Sequence, residues 1–244
     1  LATLATGLEV AYERIVDLNR IPELESILLW TAANNSSPLG YIHPAFSLKG
    51  VDFTFQRITE EMTWSYFHYY FNDKWRCLMC DLLSDEQTLG DRIIEETANF
   101  VVLSPISARH PFEVWIVPRN HYPSIESLGS SYPNPWELWY ELADLTVRYG
   151  AKLERLLGSR ICYTYSLFNA PRKFVWGMPV APRRLSAEEI ANCYHFRFRI
   201  RPFLLEQQAE TEVVGYTCNP ILPEEAARIL RMDDAHLDAW IQGS

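Results

Sequence analysis

The feature that most constrains this chain is a run of eight residues, 194–201, in which apolar and basic side chains alternate strictly. Successive side chains of a β-strand point to opposite faces, so the run predicts a strand with one face packed on a core. The other face carries an imidazole and three guanidiniums spaced about 7 Å apart. Because neighbouring like charges repel, this face needs water, carboxylates or an anionic ligand around it. Its members are His195, Arg197, Arg199 and Arg201.

Three environments would satisfy this basic face. In the first, the strand lies at the edge of a sheet, where solvated cations deter pairing with another chain. In the second, Arg197 and Arg199 form a binding site for an anion, because guanidiniums bind phosphate and carboxylate in a bidentate manner. In the third, carboxylates of neighbouring strands neutralise the arginines inside the protein, and the candidates are Glu95, Glu96 and Glu113.

A second motif, Cys77-Leu-Met-Cys80, has the spacing of a metal-binding cysteine pair. Two thiolates at this spacing bind one tetrahedral zinc ion when two further ligands come from elsewhere in the chain. The rivals are a redox-active pair, which usually starts a helix in a βαβ unit, and two packed, reduced cysteines. The sequence alone does not choose the remaining ligands among the six histidines, His43, His68, His110, His121, His195 and His236.

Composition excludes several classes of protein. A net charge of −9 and a pI near 5.2 argue against a nucleic-acid partner, because such proteins need a basic field. No run of about 18 apolar residues occurs, so we expect no transmembrane helix and no membrane partner. The five cysteines form an odd, sparse set that is typical of a reducing compartment, so we expect a cytoplasmic protein. The first seven residues lack basic charges and do not predict a signal peptide.

Periodicity predicts an α+β fold. Strands and helices do not alternate as βαβ units, which favours an antiparallel sheet with flanking helices. Residues 8–34 predict two helices separated at Pro22, and residues 35–55 predict a loop with short extended pieces. The remaining predictions are a strand pair over 92–103, strands over 112–117, 161–168 and 212–217, a long amphipathic helix over 135–157, and helices that start after Ser186 and at Pro223.

Four stretches together resemble the galactose-1-phosphate uridylyltransferase branch of the histidine-triad superfamily, and in particular its C-terminal half. They are residues 77–83 (CLMCDLL), 92–128 with a Pro-basic-x-His turn, 194–202 (YHFRFRIRP) in place of the His-x-His-x-His strand, and 215–230 (GYTCNPILPEEAARIL). The resemblance implies a histidine-triad-like antiparallel sheet in a domain over residues 76–244. Residues 1–75 then form an N-terminal helical and aromatic extension. It also allows a homodimer.

The resemblance selects a ligand set for a structural zinc ion. In that superfamily the two cysteines, the histidine of the Pro-basic-x-His turn and the first triad histidine hold the metal. These positions are Cys77, Cys80, His121 and His195 here, and all four residues are competent ligands.

The resemblance also locates the nucleophile of nucleotidyl transfer at the second triad position, which is Arg197 when counted back from Pro202. Arginine stays protonated and has no lone pair for attack, and the third position is Arg199. His195 is a poor substitute because it is the expected metal ligand. A catalytic residue is therefore not assigned.

Three functions follow as hypotheses. The first is a non-transferring relative that binds an anionic or phosphorylated small molecule, or a protein partner. The second is a repurposed, biosynthetic enzyme whose nucleotide pocket holds a different small molecule. The third is an active transferase with another nucleophile. Aromatic residues that fit a pocket or a core equally well are Trp64, Tyr66, Phe67, Tyr69, Tyr70, Trp115 and Trp176.

Overall fold

The alternating segment lies at the centre of a seven-stranded antiparallel sheet of order β2-β1-β6-β9-β5-β4-β3. The computed structural model describes residues 1–33, 46–158, 162–176, 183–203 and 219–243. The strands are β1 (Ser26–Ala33), β2 (Ser47–Val51), β3 (Ile93–Glu96), β4 (Phe100–Leu103), β5 (Val114–Pro118), β6 (Cys162–Phe168), β7 (Val175–Trp176), β8 (Arg183–Arg184) and β9 (Arg197–Phe203), and β7 and β8 form a separate small sheet.

Helices cover both faces of the sheet, and the α+β class is confirmed. In the described residues they are α1 (Ala2–Leu18), α2 (Gln56–Met62), a π-helix (Thr63–Lys74), α3 (Leu78–Leu89), α4 (Ile125–Ser130), α5 (Trp136–Leu157), α6 (Ala187–Cys193), α7 (Pro223–Leu230) and α8 (Asp234–Gly243). None of the described helices is long and apolar enough to cross a membrane.

The period-two pattern is confirmed from Phe196 to Ile200 by the packing of the two faces. It does not extend to the start of the run: β9 begins at Arg197, and Tyr194 packs in a separate apolar cluster with its hydroxyl on Glu61. Phe196, Phe198 and Ile200 are buried in the main core, which the sheet shares with α1, α4, α5, α7 and α8. On the opposite face, α3 packs through Leu83 over a smaller apolar cluster that includes Trp115 of β5. Because β9 pairs with β6 on one side and β5 on the other, it is not an edge strand, and the solvated-edge environment is wrong.

The prediction of a second N-terminal helix is wrong. Residues 26–33 form strand β1, which pairs with both β2 and β6. The apolar spacing here suits a helix and a strand alike, and the sheet decides between them. As a strand, the segment buries Ile27, Leu29 and Thr31 on one face and turns the exposed Trp30 away.

Strands from both sides of residue 75 therefore share one sheet, although the helical part of the predicted extension is present as α1. A domain boundary at residue 75 stays a prediction. The predicted strand over 212–217 lies outside the described residues, whereas the strand pair over 92–103, the helix over 135–157 and the capping box at Ser186 are confirmed.

Candidate metal centre and basic strand face

Four side chains from three separate parts of the chain converge beside the start of α3. Their ligand atoms, one each from Cys77, Cys80, His121 and His195, all lie within 4.8 Å of one another. The Sγ atom of Cys80 is 3.2 Å from Nδ1 of His121 and 3.4 Å from Nδ1 of His195. Ligand atoms around a tetrahedral zinc ion are about 3.3–3.8 Å apart, so the donor set and its spacing suit such an ion.

Backbone carbonyls orient both imidazoles toward the thiols. Nε2 of His121 donates to the carbonyl of Ala191 at 2.7 Å, and Nε2 of His195 donates to the carbonyl of Pro118 at 3.1 Å. With Nε2 carrying the proton, the lone pair is on Nδ1, which is the atom that faces Cys80. Such outer hydrogen bonds are the usual way in which a protein fixes the tautomer of a metal-binding histidine.

The pKa values of the two thiols are shifted in opposite directions. The pKa of Cys77 is far below its usual range, mainly because the Cys80 thiol donates a hydrogen bond to its thiolate. The pKa of Cys80 is raised, mainly by the same contact with Cys77. The pair begins α3, with Cys77 at the N-cap, where the helix dipole favours negative charge. A thiolate is thus favoured at the position where a cation would bind.

The basic face of β9 is buried, and its first arginine is neutralised internally. Arg197 is 5% exposed, and its Nη2 donates to Oε1 of Glu61 at 2.5 Å. The Tyr194 hydroxyl donates to the other oxygen of Glu61 at 3.1 Å. The Arg197 guanidinium also lies over the rings of Trp115 and Phe168, 4.5 and 4.7 Å from their centres. This is the third environment considered above, with a carboxylate that the sequence did not suggest.

Of the three carboxylates that the sequence suggests as partners of the β9 arginines, only Glu113 lies near one of them. Glu95 pairs with Arg148 at 2.7 Å and Glu96 pairs with Arg119 at 2.7 Å. Glu113 is buried and lies 3.8 Å from Nη1 of Arg199, which is beyond hydrogen-bond distance. Glu61 belongs to α2 and not to a neighbouring strand, so no strand-pairing argument could have brought it to β9.

Arginines outnumber carboxylates around this face. Arg57 of α2 contacts the same Glu61 at 3.8 Å, and the Nε atoms of Arg57, Arg197 and Arg199 are buried without a hydrogen-bond partner among the described residues. The pKa of Arg199 is lowered to about 10, first by burial and also by repulsion from the neighbouring arginines, while Glu113 opposes the shift. Among the described residues, the three guanidiniums of Arg57, Arg197 and Arg199 thus face only two carboxylates, those of Glu61 and Glu113.

A cavity of about 440 Å³ adjoins the basic face and the cluster. Arg57, Glu61, His195 and Arg197 contribute to its wall, together with apolar side chains of α3. Of the aromatic residues noted in the sequence, Trp64 and Trp115 line this cavity. Tyr66 and Phe67 instead belong to a separate apolar cluster, and the Trp176 side chain lies outside the described structure.

Comparison with known proteins agrees with this architecture. The sequence pattern of the family described as galactose-1-phosphate uridyl transferase, C-terminal domain, matches residues 63–240. The chain belongs to this family. The resemblance to the C-terminal half of galactose-1-phosphate uridylyltransferases is thereby confirmed.

Two curated relatives are similar at low identity. A galactose-1-phosphate uridylyltransferase of Thermotoga maritima is 24% identical over 235 residues, which cover 94% of this chain and 67% of that protein. An ADP-glucose phosphorylase of Arabidopsis thaliana is 24% identical over 162 residues, which cover 66% of this chain and 39% of that protein. The chain therefore spans about two thirds of the first family member and well under half of the second.

Solved structures of the family share the fold over nearly the whole chain. A GalT-like protein from A. thaliana matches with a TM-score of 0.73 at 18% identity, covering 94% of this chain and 68% of that one. The structure of A. thaliana ADP-glucose phosphorylase with bound ADP-glucose also gives 0.73 at 18%, covering 96% and 67%. A uridylyltransferase gives 0.71 at 19%, covering 98% and 68%. This coverage includes strands β1 and β2, which lie before the matched family pattern.

The convergence of the four donor atoms predicts that the protein carries about one divalent metal ion per chain when it is purified without added metal. Replacing Cys77 by Ser should lower the metal content, measured by elemental analysis, and the melting temperature together, because metal binding and folding are linked. Cys193 is also buried but lies outside the cluster, so Cys193→Ser should keep the metal. Metal-free wild-type protein with the same melting temperature would contradict this prediction.

Proposed function

We propose that this family member holds a structural zinc ion and binds an anionic small molecule at the basic face of β9, without transferring nucleotidyl groups. The observation that carries the proposal is the environment of Arg197. The family resemblance assigns this position to the nucleophile, and here a buried guanidinium pairs with Glu61 instead. A protonated guanidinium has no lone pair with which to attack a phosphate.

The choice of zinc rests on the chemistry of the donors. Two thiols and two imidazole nitrogens in a mutually tetrahedral spacing are a ligand set that zinc prefers. Cys77, Cys80, His121 and His195 would hold the ion. Because four protein ligands complete the coordination, the ion would supply stability by linking α3 to the segments that precede α4 and β9. It would leave no open position for substrate.

Two other side chains in the cavity wall are unsuitable substitutes for the nucleophile. Both ring nitrogens of His195 are engaged, one with the Pro118 carbonyl and one with Cys80. Burial raises the pKa of Cys193 to about 12, so its thiol stays protonated at neutral pH. These two observations weaken the hypothesis of an active transferase with a non-standard nucleophile.

The anionic character of the ligand is supported by the uneven charge. Arg57, Arg197 and Arg199 are met by two carboxylates, Glu61 and Glu113, and the contact to Glu113 is long. An oxyanion in the cavity would accept hydrogen bonds from the guanidinium groups of Arg57 and Arg197, which line it. The names of the relatives fit this class, since one is an ADP-glucose phosphorylase and another a galactose-1-phosphate uridylyltransferase.

The absence of transfer is tested by incubating the protein with UDP-glucose or ADP-glucose and measuring its intact mass. We expect no increase that corresponds to a covalent UMP or AMP group, because Arg197 offers no attacking lone pair. A nucleotidyl adduct that disappears when a residue of the cavity wall is replaced would refute the proposal. The loss on replacement separates a true intermediate from non-specific labelling.

The anion site is tested by thermal unfolding in inorganic phosphate. Phosphate should raise the melting temperature by about 2–4 °C at saturating concentration, and less at high ionic strength because salt screens the contact. Phosphate also stabilises proteins non-specifically, so variants provide the control. Arg57→Gln should abolish the specific part of the rise, whereas Arg14→Gln, on the exposed surface of α1, should retain it. Equal shifts in both variants and the wild type would count against an anion site.

A further inference from the structure

The cavity beside β9 is lined by apolar side chains as well as by arginines, and both indicate the chemistry of its ligand. Building on the proposed function, we infer that the anion carries an apolar body, and that the cavity accommodates an amphipathic organic acid rather than a nucleotide sugar. The acid group would lie at Arg57 and Arg197, and the apolar body would lie against α3 and the loop after β4.

The walls of the cavity are mainly hydrocarbon. Helix α3 contributes Leu78, Met79 and Leu82, and the segment at the end of β4 contributes Leu103 and Ile106. Two tryptophans complete the walls, Trp115 from β5 and Trp64 from the π-helix. An apolar ligand in contact with these groups would remove both surfaces from water, which is the main source of affinity in such pockets.

The rim of the cavity exposes large apolar groups. Trp64 is 63% exposed and Ile106 is 62% exposed, although both contribute to the wall. Trp64 is supported by His68, whose ring centre is 4.4 Å away. A ligand with an apolar body would cover these side chains, whereas the hydroxyl groups of a sugar would find on them only the single indole N–H of Trp64 as a hydrogen-bond partner.

Three charged groups of the wall lie together. Arg57 and Arg197 both contact Glu61, so the two guanidiniums and the single carboxylate occupy one small region. Their sum is one positive charge, which matches one acidic group. The other charged residues of the described wall are Glu60, Glu86 and Arg109. Glu86 is already paired with Arg92, and Glu60 and Arg109 together add no net charge, so the wall offers one excess positive charge, which is fewer than the negative charges of a diphosphate.

A titration with four probes tests the inference: inorganic phosphate, hexyl phosphate, heptanoate and UDP-glucose, each measured by calorimetry with the wild-type protein. Hexyl phosphate should bind at least tenfold more tightly than inorganic phosphate, because several methylene groups leave water. Comparison of heptanoate with hexyl phosphate shows whether the acid is a carboxylate or a phosphate. UDP-glucose should bind more weakly than the better of these two.

Variants locate the two parts of the ligand. Ile106→Asn should weaken the binding of hexyl phosphate about threefold or more while leaving inorganic phosphate unchanged. Leu89→Asn is the matched control, because Leu89 is also 62% exposed and does not line the cavity. Arg57→Gln should weaken both ligands, since it removes the charged contact.

The possible failures are distinguishable. If inorganic phosphate and hexyl phosphate bind equally well, or UDP-glucose binds most tightly, the amphipathic class is wrong while the anion site stands. If none of the four probes binds, the proposed function itself fails. Insensitivity of hexyl phosphate binding to Ile106→Asn would likewise overturn the assignment of this cavity to the apolar body.

Discussion

The ion pair between Arg197 and Glu61 sets the character of this site, because β9 lies in the middle of the sheet and cannot leave its basic face in water. A buried guanidinium without a counter-charge is strongly unfavourable. Glu61 supplies that charge, and Tyr194 and two aromatic rings complete the surroundings of the pair. The contact also ties α2 and the π-helix to the sheet and so forms one wall of the cavity.

The cysteine and histidine cluster lies beside this pair and shares β9 with it through His195. Its four ligands come from the start of α3, the segment after β5 and the segment before β9, which are distant in sequence. A metal ion there would hold together the elements on which the cavity depends. An ion held by all four donors would have no open coordination position, which would suit a structural role beside a binding site and not a catalytic one.

Much of this arrangement could be predicted from local sequence. The alternation correctly predicts that Phe196, Phe198 and Ile200 enter the main core, because successive side chains of a strand point to opposite faces. The capping box at Ser186 and the amphipathic helix α5 follow from equally local rules. The four converging donors needed the family resemblance, since six histidines compete and spacing alone does not choose among them.

The errors arose where tertiary contacts decide. Strand β1 has an apolar spacing that also fits a helix, and only its pairing with β2 and β6 selects the strand. The role of Glu61 is not predictable from the sequence, because it lies 136 residues before Arg197. A charge pair between distant segments leaves no local signal in the sequence. Pairing between neighbouring strands does, and it points to Glu95, Glu96 and Glu113 instead of Glu61.

A double-mutant cycle tests the central claim that Glu61 neutralises the buried guanidinium of Arg197. The free energy of unfolding is measured by urea denaturation for the wild type, Arg197→Met, Glu61→Gln and the double variant, with Glu60→Gln as an exposed control. Each single change should destabilise the protein by about 3 kcal/mol, and the control by less than about 0.5 kcal/mol. We predict a coupling energy of about 1.5–3 kcal/mol, with the double variant less destabilised than the sum of the singles. Additive effects within about 0.5 kcal/mol would contradict the account.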